Sequence, residues 1–402
     1  MMWRKVKLGD IAEFSNGINF DKGAYSKGVK LINVSNFGNR FSPEYNSLDE
    51  IKGEVVRNND LLSTGDIVFV RSNGNKELVG RCMLIDNPPE KITYSGFCIR
   101  ARFKDTTDHD PVFWTYHFKN MAFRRAMSGT AIGANIQNLS QGRLAVYETM
   151  VPNIEGQKRI ANILSAYDNL IENNQKQIKL LEEAAQRLYK EWFVDLRFPG
   201  HEDAAIIDGV PEGWIEDTID SKIDLLSGYA FKSAEFNDEG TYRIVTIKNV
   251  KDGQFDGDNV SHMVDIPPQM PEHCKLSDGD ILLSLTGNVG RVCIVHGDNY
   301  LLNQRVAKIK SDNPTYAYCL FRSKDMFDEM NNLANGAAQQ NLSPIRTGKI
   351  KVVFPTDELI DTFEEIVSPM IEKITMLNKT MLLLSQARDR LLPKLMSGEI
   401  EV

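Results

Sequence analysis

The chain has 402 residues, 42% hydrophobic and 25% charged, which is the composition of a globular protein with room for two or three domains. Its formal net charge of −8 argues against a simple nucleic-acid binder, and no apolar run reaches the roughly 18 residues that a membrane span needs. The start of the chain lacks the apolar core of a signal peptide and its cysteines form no Cys-x-x-Cys pair, so we expect a cytoplasmic protein with reduced thiols and no zinc site.

Residues 1–152 predict a mixed α/β domain. Runs rich in β-branched and aromatic residues at 67–70 and 97–103 are bounded by Gly, Asn and Asp and predict strands, and a short helix is expected near 111–126. Residues 1–150 hold 20 basic and 16 acidic side chains, a net charge of +4. This half could therefore offer the local basic face that DNA binding needs.

Residues 153–197 predict a helical region. Apolar or bulky residues recur there every seven positions in two interleaved rows, the pattern by which coiled-coil helices pack. The rows are Leu164, Ile171, Ile178, Ala185 and Trp192, and Tyr167, Asn174, Leu181 and Leu188. Ser165-x-x-Asp168 is typical of a capping box, so we expect a short helix before Ser165 and a long helix at about 166–193. Asn174 interrupts its row, as residues that fix helix register often do.

Residues 198–213 predict a linker, because they are rich in Pro, Gly and small polar residues. A second mixed α/β domain is expected at 214–355, with strands at 281–285 and 292–295 and a helix near 314–333. Residues 212–355 hold 15 basic and 20 acidic side chains, a net charge of −5. This half should bind DNA poorly by itself, with a steep salt dependence.

Residues 356–402 predict a second helical region with the same seven-residue pattern. Its rows are Val367, Ile374, Met381, Arg388 and Leu395, and Met370, Leu377, Leu384 and Leu391. Ser368-Pro369 predicts the start of a long helix at about 369–392, and Pro393 its end. Each long helix would be roughly 35–42 Å long at about 1.5 Å per residue. A homodimeric coiled coil is the alternative, but two matching helices in one chain favour an intramolecular antiparallel pair.

The two halves repeat one sequence frame. Leu-Ser-Thr-Gly-Asp-Ile at 62–67 returns as Leu-Ser-Asp-Gly-Asp-Ile at 276–281, Val-Gly-Arg at 79–81 returns at 289–291, and Gln-Asn-Leu-Ser at 137–140 returns at 340–343. Trp3, Gly17 and Phe20 likewise return as Trp214, Gly228 and Phe231. Between these anchors the halves diverge, which predicts one architecture that presents two different surfaces.

Two further segments are specific. Trp-Phe-Val-Asp at 192–195 leads into Arg-Phe-Pro-Gly-His-Glu at 197–202, and residues 391–400 read Leu-Leu-Pro-Lys-Leu-Met-Ser-Gly-Glu-Ile. With the order of variable block, helix, linker, variable block and helix, these segments resemble the specificity (S) subunit of type I restriction-modification systems over the full chain. Gly-Asp-Ile alone would be a weak signal.

The resemblance implies an α+β fold, with two α/β target recognition domains joined by two long helices in an intramolecular antiparallel coiled coil with a pseudo-two-fold internal repeat. Each recognition domain would read one half of a gapped, two-part sequence in double-stranded DNA, and the helix pair would set the spacing. A rod of roughly 35–42 Å is close to one turn of B-DNA, about 34–36 Å, as a gapped site requires.

The same resemblance implies the partners. Two modification (M, methyltransferase) subunits would dock on the chain and supply S-adenosylmethionine and adenine-N6 methylation. Restriction (R) subunits would add translocation and cleavage with ATP and Mg. No cofactor is expected on this chain, and no membrane partner.

The sequence predicts no catalytic site. Asn-Pro-Pro-Glu at 87–90 is similar to an amino-methyltransferase loop, but Glu90 replaces the aromatic residue that stacks on a flipped base, so we interpret it as a turn. No phosphate-binding Gly-x-x-x-x-Gly-Lys-Ser/Thr motif occurs, and the six histidines lack metal-ligand spacing. The alternatives are a coiled-coil scaffold that joins two ligand-binding domains, a fragment of a fused enzyme, and a hydrolase with an unrecognised site.

Two matched loop regions are candidates for base contacts. The first has Arg71, Ser72, Asn73, Asn75 and Lys76 in half one and the shorter counterpart Thr286 and Asn288 in half two. Arg, Asn and Ser/Thr side chains can hydrogen-bond base edges, although a plain hairpin turn is the alternative. The second has Thr130 and Asn135 in half one and Gln339 in half two. The adjoining Gln-Asn-Leu-Ser is identical in both halves, which favours a structural or phosphate-binding role there.

Phosphate contacts are expected from a wider set of polar and basic residues. They are Lys30, Asn33, Arg124 and Arg125 in half one, and Lys248, Asn249, Asn303, Gln304 and Arg305 in half two. Arg81 and Arg291 follow the repeated Val-Gly, and an ion pair with Asp66 or Asp280 is an equal alternative to DNA contact. Because half two is acidic, we expect most of the affinity to come from basic partner subunits that clamp the duplex.

Overall fold

The computed structural model describes residues 2–38, 40–72, 78–128, 138–207, 209–258, 260–334 and 341–402. The chain divides into two compact units, one of Met1–Ile171 with Leu384–Val402 (unit 1) and one of Glu172–Leu383 (unit 2). Unit 1 holds the start of the first long helix and the end of the second, and unit 2 holds the remainder of both. The two helices therefore run antiparallel within one chain, as the sequence predicted.

Unit 1 contains a mixed α/β domain. Its strands are β1 (Trp3–Lys7), β2 (Ala12–Asn16), β3 (Tyr25–Ile32), β4 (Asp49–Ile51), β5 (Ile67–Val70), β6 (Cys82–Leu84), β7 (Ile92–Tyr94), β8 (Cys98–Phe103) and β9 (Glu148–Pro152). Its short helices are α1 (Leu8–Ile11), α2 (Pro111–Lys119), α3 (Met121–Ser128) and α4 (Gln141–Ala145). The order β2-β8-β5-β6 forms an antiparallel sheet, β4-β3-β7 a mixed sheet and β1-β9 a ribbon.

The first long helix, α5 (Ile154–Tyr189), follows β9 and ends in a π-helical turn at Lys190–Val194. In unit 2 the strands are β10 (Ile206–Ile207), β11 (Val210–Pro211), β12 (Ile215–Thr218), β13 (Ile223–Ser227), β14 (Tyr242–Val245), β15 (Val250–Lys251), β16 (Gln254–Phe255), β17 (Ser261–Met263), β18 (Lys275–Leu276), β19 (Ile281–Ser284), β20 (Val292–Ile294), β21 (Tyr300–Leu302), β22 (Val306–Ser311) and β23 (Lys351–Phe354). The helices are α6 (Pro314–Arg322), α7 (Lys324–Ala334), α8 (Pro344–Gly348) and the second long helix, α9 (Asp357–Ser397).

The sheets of unit 2 repeat those of unit 1. The order β13-β22-β19-β20 matches β2-β8-β5-β6, the ribbon β12-β23 matches β1-β9, and the parallel pair β14-β21 matches β3-β7. The predicted strands and the short helices near 111–126 and 314–333 are confirmed. Each of these helical stretches is two helices, divided after Lys119 and after Arg322.

The central strand of each domain is buried on both faces. In β5, Ile67 and Phe69 face the core that contains the long helices, and Val68 and Val70 face a second core on the other side of the sheet. Side chains alternate across a strand, so two cores require an uninterrupted apolar run. β19 shows the same alternation, with Leu283 in one core and Leu282 in the other.

The predicted bounds of the long helices are wrong. The helices begin at Ile154 and Asp357, not at about 166 and 369, so no separate short helix precedes either one. Ile160 and Leu164 pack into the core of unit 1 as Phe363 and Val367 pack into that of unit 2, and these contacts continue each helix through its Ser. Pro369 and Pro393 both lie within α9 and do not end it.

The Ser165-x-x-Asp168 capping box does not form, because both residues lie inside α5. An oxygen of Asp168 instead accepts a hydrogen bond from the Tyr116 hydroxyl at 2.5 Å, and Asp168 also pairs with Arg388. The N-terminal cap of α5 lies earlier, where the Asn153 side chain accepts a hydrogen bond from the amide of Gly156 at 3.2 Å. Among the described helices, none is long and apolar enough to cross a membrane.

Candidate nucleic-acid interface

The repeated motifs build the frame that holds the candidate loops. Gly65 and Gly279 adopt φ values of +91° and +89°, a backbone region that favours glycine. The carboxylate that follows each glycine accepts a hydrogen bond from a backbone amide two residues before the glycine, from Ser63 to Asp66 at 2.7 Å and from Ser277 to Asp280 at 2.9 Å. Leu-Ser-x-Gly-Asp-Ile is therefore a turn motif that leads into the central strand of each domain.

The repeated carboxylates of these turns have basic partners elsewhere in the sheet. Arg102 donates two hydrogen bonds to Asp66, at 2.7 and 2.6 Å, and Lys308 lies 2.7 Å from Asp280. The ion pairs described for these carboxylates are therefore with Arg102 and Lys308, and those suggested with Arg81 and Arg291 stay a prediction. The partners come from strands β8 and β22, which lie beside β5 and β19.

In each half, a described residue of the first loop region is bridged to the residue that follows the second loop region. Ser72 forms an isolated antiparallel bridge with Asn138, and Thr286 forms the matching bridge with Asn341. Arg71 and Ser72 therefore adjoin Asn138 and Leu139. Asn73, Asn75, Lys76, Thr130, Asn135 and Gln339 lie outside the described residues, and their candidacy stays a prediction.

The shared Gln-Asn-Leu-Ser motif anchors this junction. Leu139 and Leu342 are buried, and their amides donate to the carbonyls of Arg71 at 2.9 Å and Leu285 at 2.7 Å. Ser140 and Ser343 cap the short helices α4 and α8. These contacts give the structural role that its identity in both halves indicated.

A second turn adjoins the same loops. In half two it contains the predicted residues Asn303, Gln304 and Arg305, and the Arg305 carbonyl accepts a hydrogen bond from the amide of Leu285 at 3.0 Å. Gln304 and Arg305 are exposed, whereas Asn303 is half-buried and forms a parallel bridge with Tyr229. The backbone of this turn therefore adjoins Leu285, the residue before Thr286.

Half one has an equivalent turn that the sequence analysis missed. Ser95 bridges Ile18 as Asn303 bridges Tyr229, and the amide of Arg71 donates to the carbonyl of Phe97 at 2.8 Å. Phe97 thus occupies the place of Arg305, and its side chain is 59% exposed. The sequence does hold one signal for this equivalence, because Ser-Gly-Phe at 95–97 precedes strand β8 just as Asn-Gln-Arg at 303–305 precedes strand β22. The two turns share no residue type, so the sequence repeat does not reveal it.

The remaining base-contact candidates differ in accessibility. Asn288 is exposed and Thr286 is half-buried. The half-buried guanidinium of Arg71 donates to the carbonyl of Gly96 at 3.2 Å, so its direction is set by the neighbouring turn. Arg291 is half-buried, and its backbone amide donates to the Ser284 hydroxyl at 3.0 Å.

Several phosphate-contact candidates have structural partners. The Lys30 ammonium lies 2.8 Å from Glu50, and this hydrogen bond raises the pKa of Lys30. Asn33 accepts hydrogen bonds from the amide of Val34 at 3.1 Å and from the Ser95 hydroxyl at 2.9 Å. Asn33 therefore helps to orient the turn that holds Ser95 and Phe97. Lys248 is exposed.

Asn249 is a correction to the candidate set. Its side chain is fully buried and braces a turn, accepting from the amide of Thr246 at 2.8 Å and donating to the carbonyl of Asp256 at 2.8 Å. A buried amide with these partners cannot reach DNA in this structure. Asn36 makes the same bond to the amide of Asn33, at 2.7 Å, so Asn249 belongs to the repeated frame.

Arg81 and Arg124 line a cavity of about 390 Å³ in unit 1, together with Lys119 and Arg388. The Lys119 ammonium donates to the carbonyl of Arg40 at 2.8 Å, and burial lowers its pKa. Arg125 is exposed on the adjoining helix α3.

The predicted helix-pair residues face inward. None of the fourteen is exposed, and all of them lie in the described part of the chain. Leu164 and Leu391 belong to the core of unit 1, and Leu188, Trp192, Val367 and Met370 to that of unit 2. Asn174, which interrupts its apolar row, is also buried.

The Asn-Pro-Pro-Glu segment is a bend between β6 and β7, as predicted. In the described part of the chain, no three His, Cys, Asp or Glu side chains cluster in a way that could hold a metal ion. All five cysteines are buried thiols, and burial raises the pKa of Cys82 to about 11.

Comparison with known proteins agrees with the repeated architecture. Residues 2–183 and 211–380 match the family model described as type I restriction modification DNA specificity domain. The chain is 25% identical over 300 residues to the type I restriction enzyme MjaIX specificity subunit of Methanocaldococcus jannaschii, covering 71% of this chain and 68% of that protein. It is 22% identical to the HindI specificity subunit of Haemophilus influenzae, covering 99% of each.

The fold also matches a solved structure. The crystal structure of the type I restriction-modification system S subunit from M. genitalium superimposes with a TM-score of 0.61 at 19% identity, over 98% of this chain and 96% of that one. The two matched regions together cover most of the chain and contain its two α/β domains. The chain therefore belongs to the type I restriction modification DNA specificity domain family.

Proposed function

We propose that this chain is the DNA sequence-specificity subunit of a type I restriction-modification enzyme and that each α/β domain reads one half of a gapped, two-part site. One observation carries this proposal. The residues beside the two loop regions are bridged alike in both halves, Ser72 to Asn138 and Thr286 to Asn341, while the sequences and lengths of the loops differ. A constant frame with different loops is what two domains that read different sequences need.

The side chains at the loops are suited to base readout. Arg71 and Arg305 can donate two hydrogen bonds to guanine, and Gln304 and Asn288 suit adenine. Phe97 offers an apolar contact for a thymine methyl group. The two halves thus present different chemistry at matched places, so we expect two unrelated half-sites.

The helix pair is proposed to set the gap between the half-sites. With 36 and 41 residues, α5 and α9 are about 54 and 62 Å long, longer than the sequence analysis expected. The first turns of α5 pack into the core of unit 1, and the first turns of α9 into that of unit 2. Helix length alone therefore does not give the gap.

The chemistry is assigned to partner subunits. We propose that this chain carries no catalytic site and that two methyltransferase subunits supply S-adenosylmethionine, while restriction subunits supply ATP and Mg-dependent steps, in the cytoplasm. Because residues 212–355 carry a net charge of −5, affinity for DNA should come mainly from basic partners. Tight binding of the isolated chain to its site at physiological salt would contradict this division.

The test is methylation sequencing of a host genome with and without this chain, with its modification subunit present in both strains. We expect one gapped, adenine-methylated motif to disappear when the chain is absent. If the methylated motifs are the same in both strains, the proposal is wrong and a scaffold that joins two ligand-binding domains becomes the better interpretation.

A further inference from the structure

In unit 1 a partly buried hydrogen-bonded cluster joins the α/β domain to both long helices. The Tyr116 hydroxyl, on α2, donates to Asp168 on α5 at 2.5 Å. The same carboxylate pairs with the guanidinium of Arg388 on α9. One carboxylate therefore connects three elements that are far apart in the sequence. We call Tyr116, Asp168 and Arg388 the first clasp.

The first clasp is largely removed from solvent. Tyr116 is 2% exposed, and the Asp168 and Arg388 side chains are 21% and 24% exposed. Burial, followed by the nearby Asp168 charge, raises the pKa of Tyr116 well above its usual value, so its hydroxyl stays a donor at any physiological pH. Arg388 also occupies a position in a heptad row where an apolar residue would pack, so a charge replaces apolar contact there.

Unit 2 contains a similar cluster. The Tyr318 hydroxyl, on α6, donates to Glu182 on α5 at 2.7 Å, and Glu182 also pairs with Arg322. We call these three residues the second clasp. They are not the repeat equivalents of the first, because the offset of 203 between the halves takes Asp168 to Ile371 and Tyr116 to Cys319. The internal repeat therefore does not explain why both domains are tied to a helix carboxylate in this way.

The clasps are better suited to fixing an angle than to adding stability. A buried ion pair often contributes little net stability, because desolvation offsets the attraction between the charges. Apolar packing is non-directional, whereas a hydrogen-bonded pair with a guanidinium is satisfied in a narrow range of orientations. Apolar contacts around Leu164 hold the domain on the helices, and the first clasp selects one orientation among those that the contacts allow.

We infer that the first clasp fixes the orientation of the first recognition domain on the helix pair and thereby restricts the enzyme to one gap length. The inference rests on the proposed function. Adding one base pair moves a half-site by about 3.4 Å along the duplex. A domain held at one angle cannot contact the displaced half-site. A domain that is free to tilt can contact it with a smaller loss of binding free energy. Asp168 is thus a positioning residue that touches no DNA.

The experiment uses the complete methyltransferase, this chain with its modification subunits, on duplexes that carry the native gap or a gap one base pair longer or shorter. The variant is Asp168→Asn, which keeps the shape of the side chain and removes its charge. The matched control is Asp389→Asn, because Asp389 pairs with the same Arg388 but is 63% exposed. The readout is the ratio of methylation rates on altered-gap and native-gap duplexes.

We expect Asp168→Asn to raise this ratio roughly tenfold, which lies within the range of coupling between contacting residues. Asp389→Asn should leave the ratio at the wild-type value. If Asp168→Asn does not fold, the same ratio is measured for Tyr116→Phe, which removes one hydrogen bond to Asp168 and keeps its ion pair with Arg388. A structural role alone would lower both rates together and leave the ratio unchanged.

An unchanged ratio in a folded Asp168→Asn or Tyr116→Phe enzyme overturns the inference while the proposed function stands. An equal rise in Asp389→Asn also overturns it, because the effect would then not depend on the Asp168 carboxylate. If the wild-type complex itself methylates no gapped site, the proposed function fails, and the inference fails with it.

Discussion

His117 lies in an aromatic cluster in the core of unit 1, and burial lowers the pKa of its imidazole to about 4. Phe113, Trp114 and Phe118 lie around the ring, whose Nε2 is 3.2 Å from the Tyr147 hydroxyl. In the unfolded chain a histidine has a pKa of about 6.5. Between these two pKa values, His117 is therefore neutral in the folded state and protonated in the unfolded state.

The consequence is a stability that falls with acidification. Above pH 6.5 both states hold neutral His117, and the full stability is present. As the pH falls from about 6.5 to 4, the unfolded state binds the proton first, and the free energy of unfolding should drop by about 3 kcal/mol from this residue. We expect His117→Phe to reduce this drop in urea unfolding between pH 4 and 7. Equal drops in the variant and the wild type would contradict the assignment.

At the scale of elements, the repeated glycines permit a close approach of two chain segments. A Cβ atom at Gly17 would lie 2.3 Å from the carbonyl oxygen of Ser95, and one at Gly228 would lie 2.3 Å from that of Asn303. These glycines precede the residues that form the parallel bridges to the same two turns. The repeat of Gly17 as Gly228 thus has a packing cause beside the candidate interface.

Gly17→Ala should therefore disturb the backbone of the turn that holds Ser95 and Phe97. We expect the free energy of unfolding to fall by about 1–3 kcal/mol, as overpacking in a close-packed region does. Gly23→Ala is the matched control in the same unit, because nothing lies within 4 Å of a Cβ atom there. Chemical denaturation measures the free energy of unfolding of both variants and of the wild type. Equal losses would mean that the close approach is not what Gly17 provides.

The helices show why local sequence signals can mislead at this scale. Ser165-x-x-Asp168 and Ser368-Pro369 both have the composition of a helix start, yet both lie inside helices. The apolar residues before each Ser are buried in a domain core, and this burial outweighs the preference of Ser for a cap. Asp168 has its partners in Tyr116 and in Arg388, 220 residues away in the sequence.

At the scale of the whole molecule, each unit has its own cores, and their residues come from that unit alone. The β1-β9 ribbon pairs the start of the first domain with its end, from Trp3 opposite Pro152 to Lys7 opposite Glu148. A domain closed in this way can be exchanged with little change to the remaining chain. The β12-β23 ribbon closes the second domain in the same manner.

Exchange of residues 2–152 for the corresponding domain of a relative should change one half of the methylated motif. The other half and the gap should stay the same, because residues 214–355 and the helix pair are retained. Methylation sequencing of strains with the hybrid measures both. The reciprocal exchange of residues 214–355 is the control and should change the opposite half. A hybrid that alters both half-sites would contradict independent readout.

The sequence by itself determined the internal repeat, the two α/β domains, the inward faces of the long helices and the family resemblance. These features depend on local patterns, such as glycines with positive φ at Gly65 and Gly279 and apolar residues at seven-residue spacing. The sequence also indicated the loops around Ser72 and Thr286, because matched loops of different length stand out against a repeated frame.

Only the tertiary structure decided how far the helices extend, that Asn249 is buried, and that Phe97 stands where Arg305 does. Each of these depends on contacts between residues that are distant in the sequence. In the sequence, Asn249 cannot be told from an exposed polar loop residue. Its burial follows from the folded turn, in which its side chain bonds the amide of Thr246. Phe97 shares no residue type with Arg305, so their equivalence follows from backbone hydrogen bonds, which side-chain patterns do not record.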